Sequence, residues 1–370
     1  DSSDKDLIWN TLGSRQRVES KIIDELVTDS VEAIKAAVIA AMDERKDTHR
    51  SESSAFYLSL LDSLDLSKPM AIDDYNEAIA NHQAKSIDLP EVAEGNEPAA
   101  ASVGYDWFAA LTGMKNPTSS ISTVYYGKSS KFIEEAIVTS IVPDPKNPMY
   151  RVRNGEVGLV EGFRMGQILD HVYEEDKDKK VKRPIIVVID VPSQAYGYNE
   201  ELIGIHVALA NSAAAYAKLR QAGHPVIGLI AGNAISGAFL AHGLQSSRLI
   251  ALNNKEITVQ AMSKESAARV TKRSVAEIEA AAEKVPAIAY DINNYTKLGA
   301  IYHFLEDITD QAASEQNVSK VIEAINEAIQ DVRNTNDTML TNRYTNETAK
   351  TFGRVETNKV RAKMDEEWDA

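Results

Sequence analysis

The sequence predicts an α/β protein with a largely parallel sheet, and three observations carry that expectation. Two runs, IIVVID from Ile185 and VIGLIAG from Val226, are apolar almost without interruption, as strands covered on both faces are. Between them residues 200–222 read as a single helix, and strands alternating with helices of this length pair in parallel through right-handed crossovers. The second run then meets Gly232, Asn233 and Ala234 before a small-residue helix that carries Ser236, Gly237 and Gly243, the pattern of a tight strand-to-helix joint.

In chain order, residues 1–47 are expected to be helical. Ile22, Ile23, Leu26, Val27, Val31, Ile34, Val38 and Met42 recur at three- and four-residue steps, with charged residues between them. An amphipathic helix over 20–42 would leave an apolar face in need of a partner. Residues 48–101 are more weakly patterned and end in LPEVAEGNEPAAAS, which reads as a linker. Residues 102–333 form the folded core, with strands expected at Ile137–Val142, Ile185–Asp190, Val226–Ile230, Arg248–Leu252 and Ile257–Ala261. A closing helix is expected over Ser319–Arg333. Residues 334–370 are polar, with too few apolar positions for a core of their own. There is no internal repeat.

Composition narrows the function. At 370 residues, 44% hydrophobic and 26% charged, the chain is that of an ordinary globular protein. No run reaches the roughly 20 apolar residues of a membrane span. The start, DSSDKDLIW, has no secretory-signal pattern and no Met, as expected of a processed, trimmed or excerpted chain. A net charge of −15 argues against a broad nucleic-acid footprint, while leaving room for a local basic patch on a coenzyme or carrier phosphate. With no cysteine, disulfides, thiolate nucleophiles and thiolate-bound metals are excluded, and a cytoplasmic location is expected.

The chemistry is expected where strands end. The joint around Gly232 would aim unpaired backbone N–H groups, backed by a helix dipole, at an enolate or other oxyanion. The segment from Asp190 to Gly197, DVPSQAYG, follows the preceding strand, so Ser193, Tyr196 and Gly197 would line the neighbouring wall. A plain surface loop shaped by Pro192 and Gly197 is the other reading. In RNGEVGLVEG, Glu156 or Glu161 either performs acid–base work or is solvated or caps the next helix, with the glycines forming turns. After Met262, Ser263 is a candidate N-cap with Ser266 in capping position, and the segment also has a place in a cleft wall. The seven histidines show no metal spacing, so no metal is expected; His206, His242 and His303 are assigned structural places in helices. Phosphate-loop and dinucleotide fingerprints are absent, and a serine nucleophile has no identifiable base.

Taken together, RVRNGEVGLVEG, RPIIVVIDVPSQAYG, EELIGIHVALANSAAAYA, AGHPVIGLIAGNAISGAFLAHG and AMSKESAARVTKRSVAEIEA resemble the malonate decarboxylase gamma subunits. The resemblance covers about Gly104–Arg333 and implies a crotonase-like (ClpP/crotonase) ββα superhelix of carboxyltransferase type. Residues 1–45, with DKDLIWNTLGS, resemble the carboxyl tail of the beta subunit, as in a beta–gamma fusion; the tail after Asn334 has no evident counterpart. Ser193 stands where the carboxyltransferase pattern often has glycine, and Asn233–Ser236 are poorer in glycine than usual.

The resemblance implies a subunit that decarboxylates a malonyl thioester. The thioester would be borne by a phosphopantetheine-type group on an acyl carrier protein, with no cofactor on this chain. A beta subunit would supply the facing wall and an alpha subunit would act as acyl-carrier transferase. Gly232, Ser236 and Gly237 would bind the oxyanion as the catalytic set. Ser193, Tyr196, Gly197 and Asn233 would bind substrate, and Lys264 or Arg269 a carboxylate or carrier phosphate. A biotin-dependent carboxyltransferase and a noncatalytic partner of the beta subunit are the alternatives; no Met-Lys-Met biotin-attachment segment occurs in the chain.

Overall fold

Residues apolar on both sides of a strand need cover on both faces, and the central strands have it. The structure, a computed structural model, describes residues 4–43, 50–285 and 290–368. A short antiparallel ribbon joins β1 (Val92–Glu94) to β2 (Pro117–Ser119). The main sheet has seven strands: β3 (Val124–Ser129), β4 (Ala136–Ile141), β5 (Ile185–Val191), β6 (Val226–Ile235), β7 (Arg248–Leu252), β8 (Val259–Gln260) and β9 (His303–Leu305). Their order is β3-β4-β5-β6-β7-β9, with β8 paired to the far end of β6. Strand β3 is antiparallel to β4 and the other pairs are parallel.

The sheet core gathers Ile186, Val188, Leu229 and Ile250 with Ile325 and Ile329 of the closing helix, Glu315–Thr335. Each such side chain contributes about 1.5–3 kcal/mol when fully buried. His303 lies in β9, not in the helix expected for it. His242 caps the end of helix Ser236–Ala241, and its ring ties together Tyr216 OH (3.0 Å) and the Val188 carbonyl (3.0 Å). That is a structural place, and burial pushes the imidazole down to about 4.

Residues 50–101 are not a loose linker. Helices Arg50–Asp62 and Ile72–Asn81 bury Tyr57, Leu60, Leu61, Tyr75 and Ile79 in a second cluster. There they meet Phe163 of helix Leu159–Asp176, whose ring stacks on Tyr57 at 4.8 Å. The chain reads as a linker because its apolar residues crowd into FYLSLL instead of marking out a helical stripe.

The amino-terminal helix is also interrupted. Residues 20–30 are not helical; the Ser30 hydroxyl accepts from Ala33 N–H at 3.2 Å and starts the helix Val31–Asp43. Before it come helices Lys5–Leu12 and Ser14–Glu19, while positions 1–3 and 44–47 of the expected helix lie outside the described residues. Helix Val31–Asp43 buries none of its residues. The helix expected over 200–222 breaks at Gly204, whose φ of +107° is accessible to glycine, into Tyr198–Ile203 and Ile205–Gln221.

The carboxyl-terminal segment is more ordered than its composition suggests. Arg343 is buried with its guanidinium on the Ser246 carbonyl, and Asn346 Nδ2 donates to the Gly299 carbonyl at 2.7 Å. A final helix, Val355–Trp368, has no buried residue.

Candidate active-site cleft

Strands β5 and β6 are parallel neighbours, so their exits open side by side. The register shifts between Ile189 and Val191, after which Val191 stands opposite Ala234. Asp190 sits at that shift and turns its carboxylate inward. Oδ1 accepts from Asn233 N–H and Oδ2 from Gly104 N–H, each at 3.1 Å. Burial raises the carboxyl above its usual range, against the pull of these two donors. A Cβ on Gly232 would lie 2.1 Å from Asp190 Oδ1, so glycine at 232 makes room for this brace.

This moves the turn. Strand β6 runs past Gly232 to Ile235, and the chain reverses at Ser236, a non-glycine residue at φ +60°. Such a conformation costs on the order of 1–3 kcal/mol. Gly232 therefore braces the strand below the turn, in place of the oxyanion-binding role expected for it. Asn233 is occupied too: its Oδ1 accepts from Thr258 N–H at 3.4 Å.

Helix Ser236–Ala241 begins without a side-chain cap. The opening N–H groups of a helix have no partner within it; that of Ser236 faces the Gln260 carbonyl through the β6–β8 pairing, which leaves Gly237 N–H above the turn. Across from them, the Tyr196 hydroxyl lies 3.1 Å from Ser236 Oγ, and half of Tyr196 is exposed. The Gln194 amide oxygen stands 1.9 Å from where a Gly237 Cβ would be, so glycine at 237 leaves that side chain room beside the turn. Ser236 and Gly237 open on a cavity of about 430 Å³ whose other walls include Phe239, Leu244, Met262, Tyr290 and Tyr295.

The structure thus brings Ser236, Gly237 and Tyr196 together. Ser193 lies behind them, its carbonyl accepting from Val157 N–H at 3.0 Å. Gly197 is the N-cap of helix Tyr198–Ile203, where a Cβ would strike the buried Glu200 carboxylate. Lys264 and Arg269 do not line the cavity. The Ser263 cap, accepting from Ser266 N–H at 3.2 Å, starts helix Lys264–Thr271 so that Lys264 pairs with Glu279 at 2.9 Å, while Arg269 is exposed.

Glu161 takes the capping reading and Glu156 does not. Buried Glu161 accepts from Gly158 N–H at 3.0 Å and Thr123 Oγ1 at 2.5 Å, and Glu156 closes a local turn on Asn154 N–H at 2.9 Å. Ser236 has a phenol, not a base, as its hydroxyl partner, which leaves it unsuited to form an acyl-enzyme. Among the described residues no group of three or more His, Asp or Glu could hold a metal, and no helix is long and apolar enough to cross a membrane. Asp190 and Gln194 escaped the sequence reading; the signal was an acid placed on the last turn of an apolar strand.

The family profile for the malonate decarboxylase gamma subunit matches residues 152–368, so the tail beyond Asn334 does have a counterpart. The chain is 40% identical to one in a Pseudomonas malonate decarboxylase hetero-tetramer solved with coenzyme A, over 72% of this chain and 100% of that one, with a TM-score of 0.66. It is 38% identical to one in the Pseudomonas MdcD–MdcE hetero-dimer, over 73% and 100%, with a TM-score of 0.65. A Malonomonas rubra malonyl-S-ACP:biotin-protein carboxyltransferase, MADD, is 34% identical over 157 residues, 42% of this chain and 54% of that protein. The chain therefore spans about half the length of that curated relative.

Proposed function

Because this chain belongs to the malonate decarboxylase gamma-subunit family, we propose that it forms one wall of a carboxy-lyase acting on a malonyl thioester. The substrate is a malonyl group on the phosphopantetheine-type arm of an acyl carrier protein. A beta subunit, such as accompanies the Pseudomonas relative, supplies the facing wall, and an alpha subunit loads the carrier. The cysteine-free sequence fits a cytoplasmic enzyme.

In the reaction the bond between the carboxylate carbon and the α-carbon breaks, and its electron pair becomes the thioester enolate as CO2 leaves. A proton then joins the α-carbon to give the acetyl thioester. The Gly237 N–H receives the enolate oxygen, which carries more charge in the transition state than in the substrate. The Tyr196 and Ser236 hydroxyls orient the thioester beside them. The apolar walls of the cavity favour neutral CO2 over the carboxylate it comes from.

The carrying observation is the positive-φ turn at Ser236, which sets the uncapped Gly237 N–H at the start of the helix above that cavity. The test is CO2 release from malonyl-thioester carrier by this chain and its beta partner. Release without biotinylated protein is expected. Release only in its presence supports the second reading, a biotin-dependent carboxyltransferase, which the identity to MADD favours. Gly237→Val should abolish turnover while the complex still forms; loss of assembly instead would assign the chain a scaffolding role.

A further inference from the structure

Away from the cleft, two arginines converge on the turn Gln245–Ser246. Arg220 comes from helix Ile205–Gln221 and places Nη2 3.4 Å from Gln245 Oε1. Arg343 comes from the carboxyl-terminal segment and donates Nη2 to the Ser246 carbonyl at 2.5 Å. Arg220 is 6% exposed and Arg343 9%. Among the described residues, Arg220 Nε and Nη1, Arg343 Nε and the Ser246 hydroxyl are all buried without a hydrogen-bond partner. The carboxylates of Asp331 and Asp337 turn instead to Arg248, at 2.6 and 3.6 Å.

Leaving guanidinium N–H groups unpaired in a low-dielectric place is costly. Burial pushes Arg343 down to about 10; Tyr295 pushes against that and the charges of Arg220, Arg354 and Arg248 push with it, while Asp337 acts on Arg220. Guanidinium forks match the planar oxygens of an oxyanion better than a point charge does. Asn342, the chain neighbour of Arg343, lines a polar cavity of about 570 Å³ with Arg248, Asp337 and Thr341.

We propose that Arg220, Arg343 and the Ser246 hydroxyl bind one small oxyanion, of the sulfate, phosphate or carboxylate class, which clamps the carboxyl-terminal segment to the core helix. The proposal stands independently of the catalytic reading.

The test titrates the full chain with sulfate, phosphate or acetate at constant ionic strength, chloride making up the balance, and reads heat and melting temperature. Saturable binding at one site is expected, with the strongest anion identifying the source. Arg220→Met should abolish it, and Arg220→Lys, which keeps the charge and loses the fork, should weaken it about tenfold or more. Ser236→Ala, in the cleft, should leave it intact. No saturable heat with any of the three anions overturns the proposal. So does a linear rise in melting temperature equal in wild type and Arg220→Lys, which is general salt exclusion. Binding that vanishes in Ser236→Ala would belong to the cleft and overturn it as well. If Arg220→Met does not fold, wild type and Arg220→Lys decide.

Discussion

The cluster around the sheet is centred on branched aliphatics of its strands, such as Ile186, Val188 and Ile250, with the rings of Trp107, Phe108 and Tyr125 packed beside them, whereas the cluster under helices Arg50–Asp62 and Ile72–Asn81 takes no residue from a strand and includes Tyr57, Tyr75, Phe163 and leucines. The first is fixed by strand register and the second by ring stacking and helix packing. They meet at the cleft. Ala195, beside Tyr196, belongs to the helical cluster; Ala234 and Ala238, which flank Ser236, belong to the sheet cluster; Leu209 packs against both. The 3.1 Å between Tyr196 and Ser236 thus spans two separately packed bodies of side chains. A change in either body can be felt in the cleft without touching it.

The sharpest way to separate the two bodies is Phe163→Ala, expected to cost about 3–5 kcal/mol in denaturant unfolding. Amide exchange should then quicken over 50–81 while β5 and β6 keep their protection. Equal quickening everywhere would mean one cooperative unit.

Acid should act from the other side. The buried His242 imidazole is held near 4, below the usual value of about 6.5. A base depressed in the folded state binds fewer protons there than when unfolded. Its contribution is therefore complete above pH 6.5 and is lost as the pH falls toward 4, a drop of about 3 kcal/mol. Urea midpoints at pH 7 and pH 4.5 measure it together with the like contribution of buried His224, also held down to about 4, and His242→Gln should remove about half of the difference.

Tyr196→Phe removes the hydroxyl across the seam and leaves the ring. Turnover of malonyl-thioester carrier should fall about tenfold, near 1.4 kcal/mol, with stability changed by less than about 0.5 kcal/mol. Lys264→Ala should do least. Its exposed pair with Glu279 is worth under about 1 kcal/mol, and turnover should not change.

The same contrast explains what could be read from the chain. Strands β5, β6 and β7 were legible because two-sided burial leaves unbroken aliphatic runs. Strand β3, VYYGKS, mixes aromatic, small and charged residues, and β9 has three residues, so neither rises above its surroundings. Of the candidate site, Ser236, Gly237 and Tyr196 meet as expected. Gly232 and Asn233 did not keep their assigned roles because the register shift at Asp190 lets β6 overrun the glycine, and a bulge leaves no mark in composition. Lys264 and Arg269 were chosen for charge alone, and charge does not say which way a helix presents it.

Ser236 holds its φ of +60° without glycine's freedom. Glycine there would relieve about 1 kcal/mol of backbone strain and remove the hydroxyl that faces Tyr196. Heat tolerance and turnover are therefore opposed at a single codon. A population of variants screened for survival on heating alone would accumulate Ser236→Gly and drift toward sturdy but sluggish enzymes, whereas alternating the screen with one for product would keep the serine.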